Sequence, residues 1–445
     1  MKKIVIFLCF FIGLNADVIN NKNLNILRSL DIRENFLTYK PLQEKYKEYL
    51  YRKKHYFLNI LENGFEILPV IKEEILSSHI PKELVSVAMA ESYFTLNAKS
   101  HKRATGLWQF MPKTAKRFGL RIDDYVDERK DPVKSTEAAI EYLKYLHNFF
   151  GKWYLAVMAY NAGEARVVEG VVRAKVDKLC KIIGKRCKKD PKIKHYRKII
   201  REYQQRGRLA FGKLYKVYKE LSHIDVSLTE LLRFQKGLKR QYIPKETREY
   251  ILKIISLSFL LNNDEFIKYS NSYILNSGST PVFNKVTVPP GTSLYYVAKF
   301  LNIDYRNLRN HNMHLKYSFT PPYKYYIYIP YQKLAYFKMK FKGKGKYLYV
   351  YKVKKGDTLS KIARKFGIKI KMIKDYNKIG KYLSINQKLI IPLNKRYIKY
   401  KVKPGDTLSK IARKFGISYK KIIKVNELKG HLIRIGQILK IPQKL

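Results

Sequence analysis

At 445 residues the chain is too long for one ordinary hydrophobic core, and its 46% apolar content is enough to build several folded domains. Lysine and arginine total 91 against 35 acidic residues, a formal charge of +56 that favours polyanions, acidic lipid or a carboxylate-bearing polymer without choosing among them. Lys, Ile, Tyr and Asn are all abundant, as an AT-rich coding sequence would produce, so part of this charge is compositional. No zinc-finger spacing and no aromatic-tipped RNA-binding strand accompanies it, so nucleic acid is not the expected partner. Peripheral contact with an anionic membrane is compatible with it.

The first element is an apolar run from Ile4 to Leu14, preceded by Lys2 and Lys3 and followed by Asn15, Ala16 and Asp17. It is too short to span a bilayer comfortably and predicts a secretory signal peptide over residues 1–16, hence export to the periplasm or cell envelope. Cys9 lies inside this run behind bulky Phe7 and Leu8, which argues against a lipoprotein processing site. Cys180 and Cys187 then remain close together in an exported chain; a local disulfide is the favoured expectation and two free thiols the alternative. Neither has the His or Cys companions of a zinc site.

Residues 17–60 read as a helical lead-in and 61–260 as an all-helical domain, with little alternating strand pattern. Pro81 suits the first turn of a helix, with Glu83 close behind it. Leu84, Val87 and Ala88 lie seven, four and three positions before Glu91, so Glu91 projects from the apolar stripe. A carboxyl held against apolar groups has a raised pKa, the condition for giving up a proton near neutral pH. An ordinary salt-bridged glutamate is the alternative for this helix taken alone. Ala104 to Pro112 is a Gly-containing loop that enters a short helix, and Ala156 to Gly163 reads as a helix end stopped by glycine. Residues 164–243 follow as an insertion carrying the cysteine pair and a basic run from Lys185 to Lys194; Pro244-Lys-Glu-Thr-Arg-Glu-Tyr250 then opens a further helix.

The C-terminal third is repetitive. Residues 353–368, VKKGDTLSKIARKFGI, recur at 402–417 with one change, Lys355 to Pro404. The match extends to Asn377 and Asn426, and the units end in Ile391-Pro392 and Ile441-Pro442. Each reads as strand, helix, helix, strand. A decayed copy spans 284–330 and carries Thr292 in place of Asp357 and Asp406; the full copies span 348–393 and 398–443. Asn276 to Thr280 and Gln332 to Lys346 read as linkers.

Glu91-Ser92, Gly106-Leu-Trp-Gln109 and Ala159-Tyr-Asn161 occur in the order and spacing of the lysozyme-like lytic transglycosylases, and the repeats resemble lysin motifs (LysM), βααβ modules that bind N-acetylglucosamine-containing glycans. Trp108, the segment 244–250 and the terminal repeats together resemble the membrane-bound lytic murein transglycosylase D type. The resemblance implies a multidomain protein, an all-α lysozyme-like catalytic domain followed by small α+β LysM modules. It implies cleavage of the bond between N-acetylmuramic acid and N-acetylglucosamine in peptidoglycan strands, with Glu91 as catalytic acid and base and 1,6-anhydro ends as product. It places Ser92, Gln109, Met111, Tyr160 and Asn161 at the substrate, and Gly356, Asp357, Thr358, Leu359, Gly405, Asp406, Thr407 and Leu408 at the LysM glycan groove. For several of these, packing or helix capping is an equal alternative, notably Met111 as core filler and Asp or Thr as helix caps. The rival readings are a goose-type lysozyme, for which Asp123, Asp124 and Asp127 offer a water-positioning carboxylate, and a non-catalytic wall-binding scaffold. No metal or organic cofactor is expected, since no His-Glu-x-x-His run or phosphate-binding glycine loop occurs.

Overall fold

The structure is a computed structural model that describes residues 18–269, 282–341, 348–377, 379–380, 382–392, 397–415, 417–428 and 430–442. The signal-peptide segment with Cys9 and the linker at 276–280 lie outside the described residues. The chain divides into two compact units, one of residues 1–120 and 132–280, the other of residues 121–131 and 281–445.

Among its described residues the first unit is built of helices joined by loops, with isolated bridges pairing Lys99 with Thr105 and Thr105 with Phe110. Its lead-in comprises α1 (Asn21–Ser29), α2 (Lys40–Lys47) and α3 (Lys54–Asn63). There follow α4 (Leu68–Ser77), α5 (Val85–Ser92), α6 (Pro112–Arg117), α7 (Pro132–Phe150), α8 (Trp153–Ala162), α9 (Glu164–Ile183), α10 (Pro191–Arg206), α11 (Phe211–Glu220), α12 (Leu228–Leu232), α13 (Lys245–Leu261) and α14 (Asp264–Tyr269). Pro132, Pro191 and Pro112 sit at helix starts, where a missing N–H costs nothing. Helix α13 is apolar almost all round from Ile251 to Leu261 and packs against α1, α2, α5 and α8, so it is the central pillar. Helix α5 is likewise buried from Val85 to Met89. The helix expected from Pro81 begins as a 3-10 turn over Lys82–Leu84 before becoming α-helical.

Residues 164–243 fold back as α9 to α12. Helix α9 grips the returning chain: Arg166 donates to the Tyr242 and Gln241 carbonyls (2.6 and 2.9 Å), and Arg173 to the Gln241 and Arg240 carbonyls (3.2 and 2.6 Å). A Cβ on Gly170 would stand 2.4 Å from the Tyr242 carbonyl oxygen, so only glycine permits this approach. The fully buried Glu169 draws Arg166, Arg173 and Arg240 together, at 3.0, 3.5 and 2.7 Å. The chain is thereby delivered to Pro244, where α13 starts.

The second unit holds three βααβ modules. In the first, β1 (Phe283–Val288) pairs antiparallel with β2 (Tyr325–Pro330) around α15 (Leu294–Leu301) and α16 (Tyr305–His311), and α17 (Leu334–Lys340) follows. The second has β3 (Leu348–Lys352), α18 (Leu359–Phe366), α19 (Ile370–Asn377) and β4 (Lys388–Pro392); the third has β5 (Tyr397–Lys401), α20 (Leu408–Phe415), α21 (Tyr419–Asn426) and β6 (Ile438–Pro442). The recurring asparagine is a clamp. Asn312 exchanges bonds with Tyr328 N–H and C=O, Asn377 with Ile390, and Asn426 with Lys440, each fixing the second helix to the last strand at 2.6–2.8 Å. The stretch from Gln332 read as linker is corrected: α17 forms within it because Phe337 finds a buried site, while residues 342–347 lie outside the described residues.

Cys180, in the last turn of α9, is bonded to Cys187 in the turn before α10, with Cα atoms 5.0 Å apart. A thiol titration of the oxidised mature protein should therefore find neither cysteine free. By chain entropy, a loop this short should stabilise the first unit by about 2–3 kcal/mol. Urea melts with and without reductant measure this, and identical midpoints would refute the contribution.

Candidate active site

Glu91 occupies the last turn of α5 and is partly exposed. Beyond it the backbone turns sharply: Tyr93 and Phe94 are both left-handed, with φ of 51° and 59°. Such backbone is strained for bulky residues and persists where packing over-determines it. The buried Phe94 ring lies flush against Gly64 at the end of α3, where an added Cβ would stand 2.7 Å from the ring. The lead-in helix thus supports the turn that follows the glutamate.

Helix α13 supplies the other wall through residues three apart. Thr247 donates to Asn161 Oδ1 (2.8 Å), the Tyr250 hydroxyl donates to Glu91 Oε1 (2.6 Å), and Lys253 Nζ donates to the Ala90 carbonyl (2.7 Å). Burial pushes the Glu91 carboxyl up to about 7; the Tyr250 bond and the Lys253 charge act downward, and Glu246 adds a further upward push. The negative end of the α5 dipole works in the same direction as burial. A carboxyl so placed exchanges its proton near neutrality.

The other site residues divide by what they touch. Ser92 is buried and its hydroxyl donates to the Leu107 carbonyl (2.7 Å), so it holds the 104–112 loop against α5. Tyr160 donates to the Trp108 carbonyl (2.7 Å) and its phenol feels the Glu91 charge. Gln109 has φ of 47° and bonds the Gly106 and Ala98 carbonyls (2.8 and 3.3 Å), bracing the same loop. Trp108 is fully buried, its indole N–H on Thr136 Oγ1 at 3.0 Å. Met111 is 44% exposed, which removes the core-filler alternative. Asn161 and Glu91 are bonded by Thr247 and Tyr250 of one helix, and the loop of Gln109 is tied to α5 and α8. Thr247 and Tyr250 stand in the segment 244–250 that carries the family resemblance, but the sequence assigns them no role at the site, and it does not single out Lys253; the signal for all three is the threefold spacing from Thr247 on an otherwise apolar helix.

In the LysM modules the expected glycan contacts carry structural bonds. Asp357 accepts from Tyr351 OH (2.7 Å) and Lys354 N (2.8 Å), and Asp406 likewise from Tyr400 and Lys403. Thr358 and Thr407 cap their helices through Lys361 N and Lys410 N, both at 3.2 Å. Leu359 and Leu408 are buried core residues, while Gly356 and Gly405, with positive φ, and Thr358 and Thr407 are exposed and Asp357 and Asp406 partly so. The acids considered for water positioning are engaged within the second unit. Asp127 pairs with Arg129 (2.8 Å), Asp123 accepts from the Tyr125 and Val126 N–H groups (2.7 and 2.9 Å), and Asp124 pairs with Lys369 and Lys371. Among the described residues no group of three or more His, Cys, Asp or Glu side chains is placed to hold a metal ion.

Residues 69–178 match the transglycosylase SLT domain, residues 282–342 the LysM-like domain of lytic transglycosylase MltD, and residues 351–392 and 400–442 the LysM domain. The chain is a lytic transglycosylase by class, an SLT domain joined to LysM-type glycan-binding modules. Within that class it is similar to membrane-bound lytic murein transglycosylase D of Escherichia coli K12, 25% identical over 79% of this chain and 81% of that protein. It is also 42% identical to a putative tributyltin chloride resistance protein of Alteromonas sp. M-1, over 24% of this chain and 51% of that one. Peptidoglycan transglycosylase gp16 of phage T7 shares 41% identity over 19% of this chain and 6% of its own length.

The raised carboxyl has a stability signature. With a folded value about 7 against an ordinary value of 4.5, the native state holds a proton that the unfolded chain releases between those pH values. Stability from this group is therefore fully present below about 4.5 and lost as pH rises through about 7. Glu91→Gln should gain on the parent across that window, by on the order of 2 kcal/mol at pH 8 and nothing at pH 4. Both tryptophans, Trp108 and Trp153, lie in the first unit, so their fluorescence in urea reports it. A pH-independent difference would show that Glu91 is not desolvated.

Proposed function

We propose that this chain cleaves peptidoglycan strands without water, using Glu91 as both acid and base. Glu91 gives its proton to the glycosidic oxygen between N-acetylmuramic acid and N-acetylglucosamine. The resulting carboxylate takes the proton of the muramoyl 6-hydroxyl as that oxygen bonds to its own anomeric carbon, leaving a 1,6-anhydro end. The observation that carries this reading is the burial of one carboxyl to about 7 beneath the Tyr250 hydroxyl. A group that must donate and then accept works best with a pKa near the ambient pH. Met111, exposed on the 104–112 loop, and Asn161 of α8, bonded by Thr247, are the residues we assign to the sugar subsites; Ser92, Gln109 and Tyr160 hold the loop that presents Met111.

The hydrolytic alternative requires a second carboxylate to position water. The acid felt at Glu91 is Glu246, exposed in the first turn of α13. Mass spectrometry of digested peptidoglycan separates the two: anhydro ends support transglycosylation, and reducing ends overturn it. Glu91→Gln should cut turnover at least about 100-fold while the protein stays folded. Residual activity within about tenfold of the parent would remove Glu91 from the chemistry.

Export to the periplasm or cell envelope follows from the N-terminal segment and from the peptidoglycan substrate. Among the described residues no helix is long and apolar enough to cross a membrane. The +56 charge supports peripheral contact with an anionic membrane. The LysM modules raise local concentration at the wall, a gain that tethering supplies without altering chemistry. Deleting residues 343–445 should slow digestion of insoluble peptidoglycan at low enzyme concentration and leave the rate on short soluble strands little changed. Wall binding by the full chain should survive about 0.5 M salt, where screening reaches only a few ångströms, and chitin oligomers should compete for it. Loss of binding in salt would assign adhesion to charge alone.

A further inference from the structure

The row Thr247, Tyr250, Lys253 puts an ammonium one helical step beyond the bond that holds Glu91, about 4.5 Å along the α13 axis. Lys253 is partly buried, unlike most of the cations on this basic chain, and its own pKa is lowered by that burial. Its hydrogen bonds go to two neutral acceptors, the Ala90 carbonyl at 2.7 Å and the Tyr93 hydroxyl at 3.4 Å. The acid whose charge it feels is Glu91, which is neutral whenever it is ready to donate. A half-buried cation in that setting has no anion of its own.

Tyr93, 37% exposed, lies directly after the Glu91-Ser92 pair, with its ring centroid 4.7 Å from Lys253 Nζ. Tyr56 on α3, 49% exposed, meets that ring edge-on at 5.7 Å. Two solvent-facing phenol rings beside a cation form a surface suited to a sugar ring that bears a carboxylate. An aromatic face takes the apolar side of a pyranose, and the ammonium takes the charge.

We propose that Lys253, Tyr93 and Tyr56 form a subsite next to Glu91 for a carboxylate carried by the muramoyl residue. The carboxylate comes either from the lactyl group of a peptide-free strand or from the stem peptide. The helical lead-in then belongs to the substrate-binding surface, and Lys253 acts on recognition of substrate charge. This inference rests on the peptidoglycan reading above and specifies which part of that polymer is recognised.

The test uses the full-length enzyme on soluble strands of two kinds, stem-bearing and peptide-stripped, each also with its carboxyl groups converted to amides. Kinetics are run at about 0.5 M salt so that the long-range attraction of the whole chain is screened. The parent should show KM about tenfold lower for at least one carboxylate strand than for its amidated form, as expected for a charge-assisted hydrogen bond. The strand that shows the preference identifies the source. In Lys253→Met, and in Lys253→Gln, which keeps a donor for the Ala90 carbonyl, that preference should fall at least fivefold while KM for amidated strands stays within twofold. Tyr93→Ala should raise KM for charged and amidated strands alike.

The groups facing Glu91 are Tyr250, Lys253 and Glu246 from α13 and Tyr160 from α8, so loss of Lys253 also lets the Glu91 pKa rise. That change moves the pH profile of kcat on every substrate equally and leaves the KM preference untouched. A parent without charge preference, or a Lys253 variant that retains it, overturns the subsite. A parent that releases no anhydro ends overturns the functional reading instead, whatever Lys253 does.

Discussion

The burial of one carboxyl group between α5 and α13 sets the terms for the rest of the first unit. An ionised glutamate among apolar side chains is costly, and the structure does not remove that cost with an arginine partner. It leaves the group protonatable, with a single phenol donor at 2.6 Å and a nearby ammonium that lower its pKa only partly. A bidentate arginine would have stabilised the fold more and fixed the carboxylate permanently charged. The site therefore retains a group that costs stability when ionised, and the proposed acid–base role rests on that property.

Keeping that group in place requires its supports to come from distant parts of the chain. Tyr250 is presented only if α13 starts correctly at Pro244, and that start depends on α9 holding residues 240–242 through Arg166, Arg173 and the close approach at Gly170. The strained turn at Tyr93 and Phe94 depends on Gly64 leaving room for the Phe94 ring. The 104–112 loop depends on Ser92, Gln109 and Tyr160, each spending its polar atoms on carbonyl oxygens. Residues 164–243 are accordingly part of the scaffold that positions the acid, and their disulfide closes the α9 end of that scaffold.

What the sequence could reveal followed the range of the interaction. Glu91 was readable because its burial shows in the local period of Leu84, Val87 and Ala88, and the LysM units were readable because they repeat. Tyr250 was visible only as part of the segment 244–250, without a role, and Lys253 not at all, since their meaning depends on contacts more than 150 positions away. Capping was weighed for Asp357 and Thr358, and the bonds seen are of that kind: Thr358 caps its helix and Asp357 closes the turn onto Tyr351. The stretch after Gln332 looked like linker because its composition is Lys- and Tyr-rich, yet one aromatic, Phe337, with a site to bury in is enough to order a short helix there.

The first module shows why a repeat that loses its signature need not be a degraded one. In the full copies the outward residues of the last strand include Ile390 and Ile438, which stay exposed. In the first copy the same face carries Tyr326 and Tyr328, both buried, whose hydroxyls donate to the two oxygens of Asp131 at 2.6 and 2.7 Å, while Tyr325 donates to Glu128. Segment 121–131 covers that face, adding Asp127 N–H to the His314 carbonyl and Lys316 N–H to the Tyr125 carbonyl, both at 2.8 Å. His314 is held there without exposure, its pKa driven down to about 4 by burial, so the cluster has no room for an added charge. At the turn, Thr292 replaces the aspartate and bonds the Pro289 carbonyl and Thr320 instead. Each change removes a group that a βααβ module offers to solvent and uses it inside the protein. The module kept the asparagine clamp that its fold needs and gave its outer face to another segment of the same chain.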